Sequence, residues 1–410
     1  MVRFGDDAKT PSYIPSKTRL PDATTDPSKS KEGYISPFKD YGVERLGPIT
    51  AATKFTAQYH PEQDMREVPS PDSYFFATAE ENGVVLTVQN HVKAAAITVP
   101  ATFVHNGMEK AVISFKLTSG AREHVRRIFV TSNNQITKIS GDTFKSNNVL
   151  EYVDLEHMPN LNIIDSQVFQ NSINFYIDKL PESVLTIGNN AFMDCPKVMI
   201  TELPTNLTEL GNSAFHNCSG ITRCDLSKAI VLKTIGADAF NNCINLTGEN
   251  FPPMLENIGA NAFNGCASLN LVLTAYSCPL VSIATSAFNS SGLTIQSLPD
   301  SLKIIQTMAF ALLTSSNNTL SLIPGSVEHL GYGIFMGSTS ISSPDNKLTF
   351  NNPNIVIDDN SIESGYNSGI FAVFYPANPY TQFVFTSETS RAAAQSTNAF
   401  GYGISDLVVV

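Results

Sequence analysis

The chain has 410 residues, a formal net charge of −11, 42% apolar residues and only 15% charged ones, against roughly 25% charged in an ordinary soluble domain. Ser, Thr and Asn fill the deficit, and no basic stripe with interleaved aromatics occurs, which argues against a nucleic-acid partner. No segment approaches the ~20 consecutive apolar residues of a membrane-spanning helix. The opening MVRFGDDAKTPSYIPSK lacks the apolar run of a secretory signal, so the expected location is intracellular or in a virion rather than classically secreted.

Residues 1–70 hold eight of the 23 prolines, thirteen Ser or Thr, and ten basic and ten acidic residues, with no period of 2 or 3.6. This composition predicts an extended or disordered N-terminal arm. If ordered, the arm would be held against a neighbour by anchors such as Tyr13, Ile14, Tyr34, Ile35, Phe38 and Tyr41. Residues 71–130 contain short β-prone runs separated by Glu, Asn and Gly. They are predicted to form a β-rich N-terminal cap and an irregular opening turn of a repeat array.

The array itself is expected over 131–340. A small word built around Phe recurs at Phe144, Phe169, Phe192, Phe215, Phe240, Phe263, Phe288, Phe310 and Phe335, in steps of 22 to 25 residues. Nine copies at that spacing predict a solenoid with one coil per word. Ile187, Leu210, Ile235 and Ile258 occupy one equivalent position and should point into a shared core. Gly188, Gly211, Gly236 and Gly259 follow them, and the expectation is a sharp turn through positive φ. A small residue then precedes the ring, as in Ala191, Ala214, Ala239, Ala262, Ala287 and Ala309. It leaves room for the rings to stack into a spine.

Cys195, Cys218, Cys243 and Cys266 stand three residues after four consecutive Phe. One thiol per coil makes a ladder rather than a zinc tetrahedron. Adjacent coils could bring two sulfurs within disulfide reach, though nothing requires it, and the expected role is a small buried residue. The stretches after the Cys, 173–183, 198–206, 269–276 and 293–300, are predicted to be strands. Pro181, Pro204, Pro299 and Pro324 would end them, and the strands would form a parallel sheet lining one face.

The word LxxIGxxAFxxCxxL, carried by Leu255, Ile258, Gly259, Ala262, Phe263, Cys266 and Leu269, resembles the BspA-type leucine-rich repeat. The resemblance covers residues 95–340. It implies a leucine-rich-repeat solenoid of about ten coils with short parallel strands on one face. It also implies a binding function, since the family includes bacterial and protist surface proteins implicated in adhesion and host-protein binding. Departures are Val168 before Phe169, Ala284 where Gly is usual, and a larger residue before Phe335.

Residues 341–410 break the period, carry ten aromatics and end in LVVV. They are predicted to form a β-rich C-terminal cap or assembly segment. The histidines are scattered, no HExxH, GxSxG, Walker A or dinucleotide fingerprint occurs, and Asp358–Asp359 reads as solvated surface. The expectation is therefore a protein that is not an enzyme, with no catalytic, cofactor-binding or metal-binding residues and no cofactor. Asn206, Asn217, Asn245, Asn289 and the NNT run that includes Asn318 stand in glycosylation triplets and read as Asn-rich coil turns. Two functions fit. One is a structural protein of a large assembly, virion or filament-associated, meeting protein partners through the arm and the C-terminal segment. The alternative is a surface adhesion or host-ligand-binding protein.

Overall fold

The computed structural model describes residues 3–4, 12–13, 68–248, 250–331, 333–338, 347–357, 382–389, 391–392 and 407–409. Most of the expected arm (1–70) and of the expected C-terminal segment (341–410) lies outside them, including Asp358–Asp359. Two compact units divide the chain, Met1–Gln135 with Tyr152–Asp154, and Ile136–Glu151 with Leu155–Val410.

In the first unit, Phe75–Glu80 pairs antiparallel with Gly83–Val88, which runs parallel to Met108–Leu117. Thr102–His105 returns antiparallel beside Met108–Leu117. The two-residue turn between them, Asn106–Gly107, has φ of 55° and 77°, the left-handed pair that matches hairpin twist. A second, parallel sheet joins Ala96–Val99, Arg127–Val130 and Tyr152–Val153. Val84, Leu86, Val88, Ile97, Val112, Phe115, Ile128 and Phe129 are fully buried and form the core.

The second unit is a solenoid. Ten two-residue strands pair in parallel, one per coil: Lys138–Ile139, Ile163–Ile164, Thr186–Ile187, Glu209–Leu210, Thr234–Ile235, Asn257–Ile258, Ser282–Ile283, Ile304–Ile305, His329–Leu330 and Val356–Ile357. From Ile139 to Leu330 the second residue of each strand is buried, so the aliphatic position faces inward as its periodicity requires. The nine rings are all fully buried. They stack coil upon coil, with centroids 5.1 Å apart at Phe144–Phe169 and 6.0 Å apart at Phe288–Phe310.

The continuous sheet does not lie where the strands were expected. The stretches after the Cys contribute only the pair Val272–Leu273 with Thr294–Ile295 and single bridges such as Ile177↔Val198 and Glu202↔Asp225. The reason is length. The first strand residue precedes its Phe by six residues in all nine coils, whereas 16 to 19 residues separate each of the first eight Phe from the next strand. Every insertion falls in that longer part, and a segment of varying length cannot keep register from coil to coil. Nearer the C-terminus, Leu322–Ile323, Lys347–Phe350, Gln382–Phe385 and Leu407–Val409 form a four-stranded parallel sheet.

The glycines after the strand also act differently from expectation. Gly188, Gly211, Gly236 and Gly259 are not in the left-handed region. A Cβ at Gly259 would lie 2.5 Å from the Ala237 nitrogen, and one at Gly236 would lie 2.7 Å from the Gly211 carbonyl carbon. Close approach of neighbouring backbones, not turning, requires glycine there. The turning is done two residues before and two after each Phe. Those eighteen residues all have φ between 52° and 72°, and all but three are non-glycine.

Most are Asn, Asp or Ser, whose short polar side chains tolerate this region. Met308 and Leu312 occupy it too, at a cost of about 1–2 kcal/mol each. The alternation aims every second N–H along the array. From Phe144 to Phe310, each Phe N–H donates to the carbonyl of the residue before the next Phe over 2.7–2.9 Å.

Candidate functional site

The cysteine ladder has a more specific role than filling space. Cys195, Cys218, Cys243 and Cys266 each donate Sγ–H to the carbonyl of the preceding coil's Phe, at 2.9 to 3.0 Å. Ser172 and Ser338 hold the same place after Phe169 and Phe335, and their hydroxyls make the same bond to Phe144 and Phe310. In six of the nine coils the position thus holds a small donor that satisfies a buried carbonyl, while Leu313 fills it after Phe310. A sequence signal for this existed, in the serines that share the register of the thiols.

All six cysteines are buried and unpaired with one another. Burial pushes the thiols of Cys195, Cys243 and Cys278 up to about 12. It raises Cys218 and Cys266 strongly as well, with neighbouring sulfurs adding to the effect. At neutral pH such groups carry their protons and act as hydrogen-bond donors.

The pH consequence has a definite sign. Above pH 9 the thiols of the unfolded chain ionise while the folded ones keep their protons, so the unfolded state binds fewer protons and stability falls. We expect urea midpoints followed by circular dichroism to decline as pH rises from 9 towards 12. The decline should be shallower in a Cys195→Ser/Cys243→Ser variant. Equal slopes in the two proteins would contradict the assignment.

The part of the coil that follows the Phe carries further polar contacts. Tyr176 donates to Asp178 at 3.0 Å, and Lys179 lies 3.8 Å from Glu202. The backbones of Glu202 and Asp225, one coil on, form a single parallel β-bridge.

Two surfaces of the array could engage a partner. The first is the outer side of the ten-stranded sheet. Its columns carry Ile163, Leu185, Thr186, Thr208, Glu209, Thr234, Asn257, Val281, Ser282 and Ile304, exposed or half-buried. Most of its charges are paired across one coil: Lys138–Asp165 at 2.7 Å, Lys233–Glu256 at 2.8 Å and Lys303–Glu328 at 2.6 Å. Burial works against the Asp165 charge, but Lys138 and the N–H groups of Ser166 and Gly141 hold its carboxyl below the ordinary value. Lys303 does the same for Glu328 by a direct hydrogen bond. Such a face is polar, nearly charge-balanced and dotted with aliphatics, which suits a protein ligand better than a polyanion.

The second surface is the row of turns that leads into the strands. Buried Pro181, Pro204, Pro252, Pro299 and Pro324 each accept, through their carbonyl, the N–H three residues on. The two residues between are the turn tip. The tips read Glu182–Ser183, Thr205–Asn206, Ile230–Val231, Pro253–Met254, Asp300–Ser301 and Gly325–Ser326, with Ala229 in the proline's place at Ile230–Val231.

A family model described as "BspA type Leucine rich repeat region (6 copies)" matches residues 137–270 and, overlapping, 233–364. No curated protein sequence matches the chain. Among solved structures, a leucine-rich repeat protein from Bacteroides ovatus is 16% identical, with 82% of this chain and 75% of that one covered at a TM-score of 0.52. A leucine rich cell surface protein from Faecalibacterium prausnitzii is 17% identical over 83% of this chain and 94% of that one, at a TM-score of 0.46. The T. pallidum leucine-rich repeat protein is 22% identical over 50% of this chain and 91% of that one, at a TM-score of 0.43. The Bacteroides ovatus structure shares the fold. Among the described residues, no helix is long and apolar enough to cross a membrane.

Proposed function

Because the chain belongs to the BspA-type leucine-rich repeat family, whose arrays are protein-interaction modules rather than catalysts, we propose that it is a surface adhesion or host-ligand-binding protein. The observation that carries this reading is the outer side of the ten-stranded sheet. It is a rigid ladder of parallel strands on which hydroxyls, amides and aliphatics alternate with charges already paired to each other. A face of that kind loses little on desolvation and can be covered by a protein surface. The family resemblance, with its surface members, favours this over a virion or filament component. The assembly reading drew chiefly on the arm at 1–70, most of which lies outside the described residues.

The test is saturation binding of the full chain to a panel of purified extracellular-matrix proteins, with immunolabelling of intact cells. We expect saturable binding to at least one of them, weakened about tenfold or more by Leu185→Arg/Val281→Arg, as for loss of interface anchors. Those side chains are exposed, so the fold should survive. Labelling confined to the cell interior or to purified particles, with no ligand bound, would overturn the proposal in favour of an assembly component.

A further inference from the structure

Turn tips in this array have a structural job. Ser183 and Ser301 each donate a hydroxyl to the leucine carbonyl of the preceding coil, at 2.8 and 2.7 Å. Glu182, Thr205, Asn206, Asp300 and Gly325 complete a set of the small or polar residues that tight turns favour. On two consecutive coils this chemistry is abandoned. Ile230 and Val231 form one tip, 47% and 41% exposed, and Met254 stands on the next, 46% exposed. Val231 and Met254 cannot donate the hydrogen bond that Ser183 and Ser301 make, and neither Ile230 nor Val231 has the polar side chain that turns favour.

The following coil departs again. Its turn is rebuilt around Tyr276, which is 96% exposed. The loop is nevertheless rigid. Thr274 N–H donates to the Ser277 hydroxyl at 2.9 Å, Ala275 N–H to the Ser297 hydroxyl at 2.8 Å, and Ser277 N–H to the Thr274 carbonyl at 3.2 Å. A tyrosine held out in water on a fixed loop contributes nothing to folding, while it loses little entropy when covered. Local rules broken on three successive coils, with no gain in packing, mark a site made for contact.

We propose that Ile230, Val231, Met254 and Tyr276 form a docking site for a short amphipathic segment of a partner protein, separate from the strand face. Charge and size define the occupant. Lys228 is exposed on the coil of Phe240, the same coil as Ile230 and Val231, and Asp300 on the coil of Phe310, one beyond Tyr276, so a cation stands at the first coil of the apolar strip and a carboxylate follows the last. Ring spacings of 5.4, 5.3 and 6.0 Å across those coils put the two charged coils roughly 17 Å apart, about five residues of extended chain, of which the apolar strip takes the first two spacings, roughly 11 Å. The segment is therefore apolar over that length, with an acidic residue towards Lys228 and a basic one towards Asp300. A second copy of this chain does not fit. Four side chains, with Tyr276 supplying at most about 250 Å², fall short of the ~800 Å² per partner of a stable interface.

The probe is a randomised 12-residue peptide library displayed and panned on the full chain, with affinities of the selected peptides then measured by fluorescence polarisation. Enriched peptides should carry an apolar run flanked by opposite charges. Tyr276→Ala and Met254→Glu should each weaken them about tenfold or more. Ile230→Thr/Val231→Asn, which restores the polar tip seen at Thr205–Asn206, should also lose binding while keeping or raising the thermal midpoint. Leu185→Arg, on the strand face, should leave peptide binding unchanged even if it abolishes binding of the matrix ligand. The proposal falls if no peptide is enriched, or if enriched peptides bind the Tyr276 and Met254 variants as well as they bind the parent. It falls equally if the chain dimerises in sedimentation and Tyr276→Ala abolishes the dimer, which would assign the patch to a second copy.

Discussion

Replacing Phe215 by Ala is expected to cost about 3–5 kcal/mol, seen as a large fall in urea midpoint followed by circular dichroism. The ring is fully buried and stacks on Phe192 at 5.2 Å and on Phe240 at 5.4 Å. Its removal therefore leaves a cavity with two aromatic walls rather than one. The coils on either side are fixed to each other by backbone bonds such as Phe192 N–H to the Ala214 carbonyl and Phe215 N–H to the Ala239 carbonyl, both 2.8 Å. They cannot close over the gap without breaking that ladder. A solenoid's stability is a sum of nearest-neighbour terms, so weakening both interfaces of one central coil should also broaden the transition. Phe215→Leu, which retains most of the volume, should cost much less. Equal losses for Ala and Leu would show that the spine is not what holds these coils together.

Gly259→Ala is expected to cost about 1–3 kcal/mol, the range for forcing atoms into a packed site. The new Cβ would sit 2.5 Å from the Ala237 nitrogen and 2.7 Å from the Gly236 carbonyl carbon. Both are backbone atoms of a coil tied to this one by the bond from Gly259 N–H to the Ile235 carbonyl, at 2.9 Å. The site can give somewhat, since Ala284 and Gln306 occupy the equivalent position elsewhere in the array. The informative control is Gly259→Asn. Asn tolerates positive φ, so a turn-forming glycine would accept it, whereas a glycine required by close approach would not. We expect Asn to be at least as harmful as Ala here. At Gly265, with φ of 72° in a position filled elsewhere by Asn171, Asn217 and Asn242, Asn should cost little. The close contact of its Cβ would be with the movable end of the Asn242 side chain, at 2.5 Å, and the Asn242 backbone would lie at an ordinary 3.7 Å. Thermal midpoints of the three variants decide between the two accounts.

The difference between those two glycines also marks where reading the chain as a string loses information. Both precede or follow a conserved-looking Phe within the same word, and both are glycine. Conformation explains one and a neighbouring coil, some 23 residues away, explains the other. A string shows that a side chain is excluded but not which atoms exclude it. The cysteines pose the same problem. Read alone they are small and apolar. Only when Ser172 and Ser338 are seen making the same bond to a Phe carbonyl does the shared requirement emerge as a hydrogen-bond donor.

What the sequence by itself determined is the solenoid: the coil length, the buried aliphatic and Phe columns, and the membership of a repeat family whose business is binding. It could do so because the six residues from strand to ring never change in number, so an inward-facing residue recurs at a fixed offset and its periodicity is plain. The tertiary structure alone decided where the continuous sheet runs, which surfaces face outward, and that three consecutive turns break the rule kept by the others. The turns lie in the part of each coil whose length varies, where alignment by counting fails; the sheet runs in the part of constant length and is fixed by pairing between coils. Hydrogen bonds between backbones two dozen residues apart, such as Glu256 N–H to the Lys233 carbonyl and Val281 N–H to the Glu256 carbonyl, set those turns on successive coils, and no local propensity records that order.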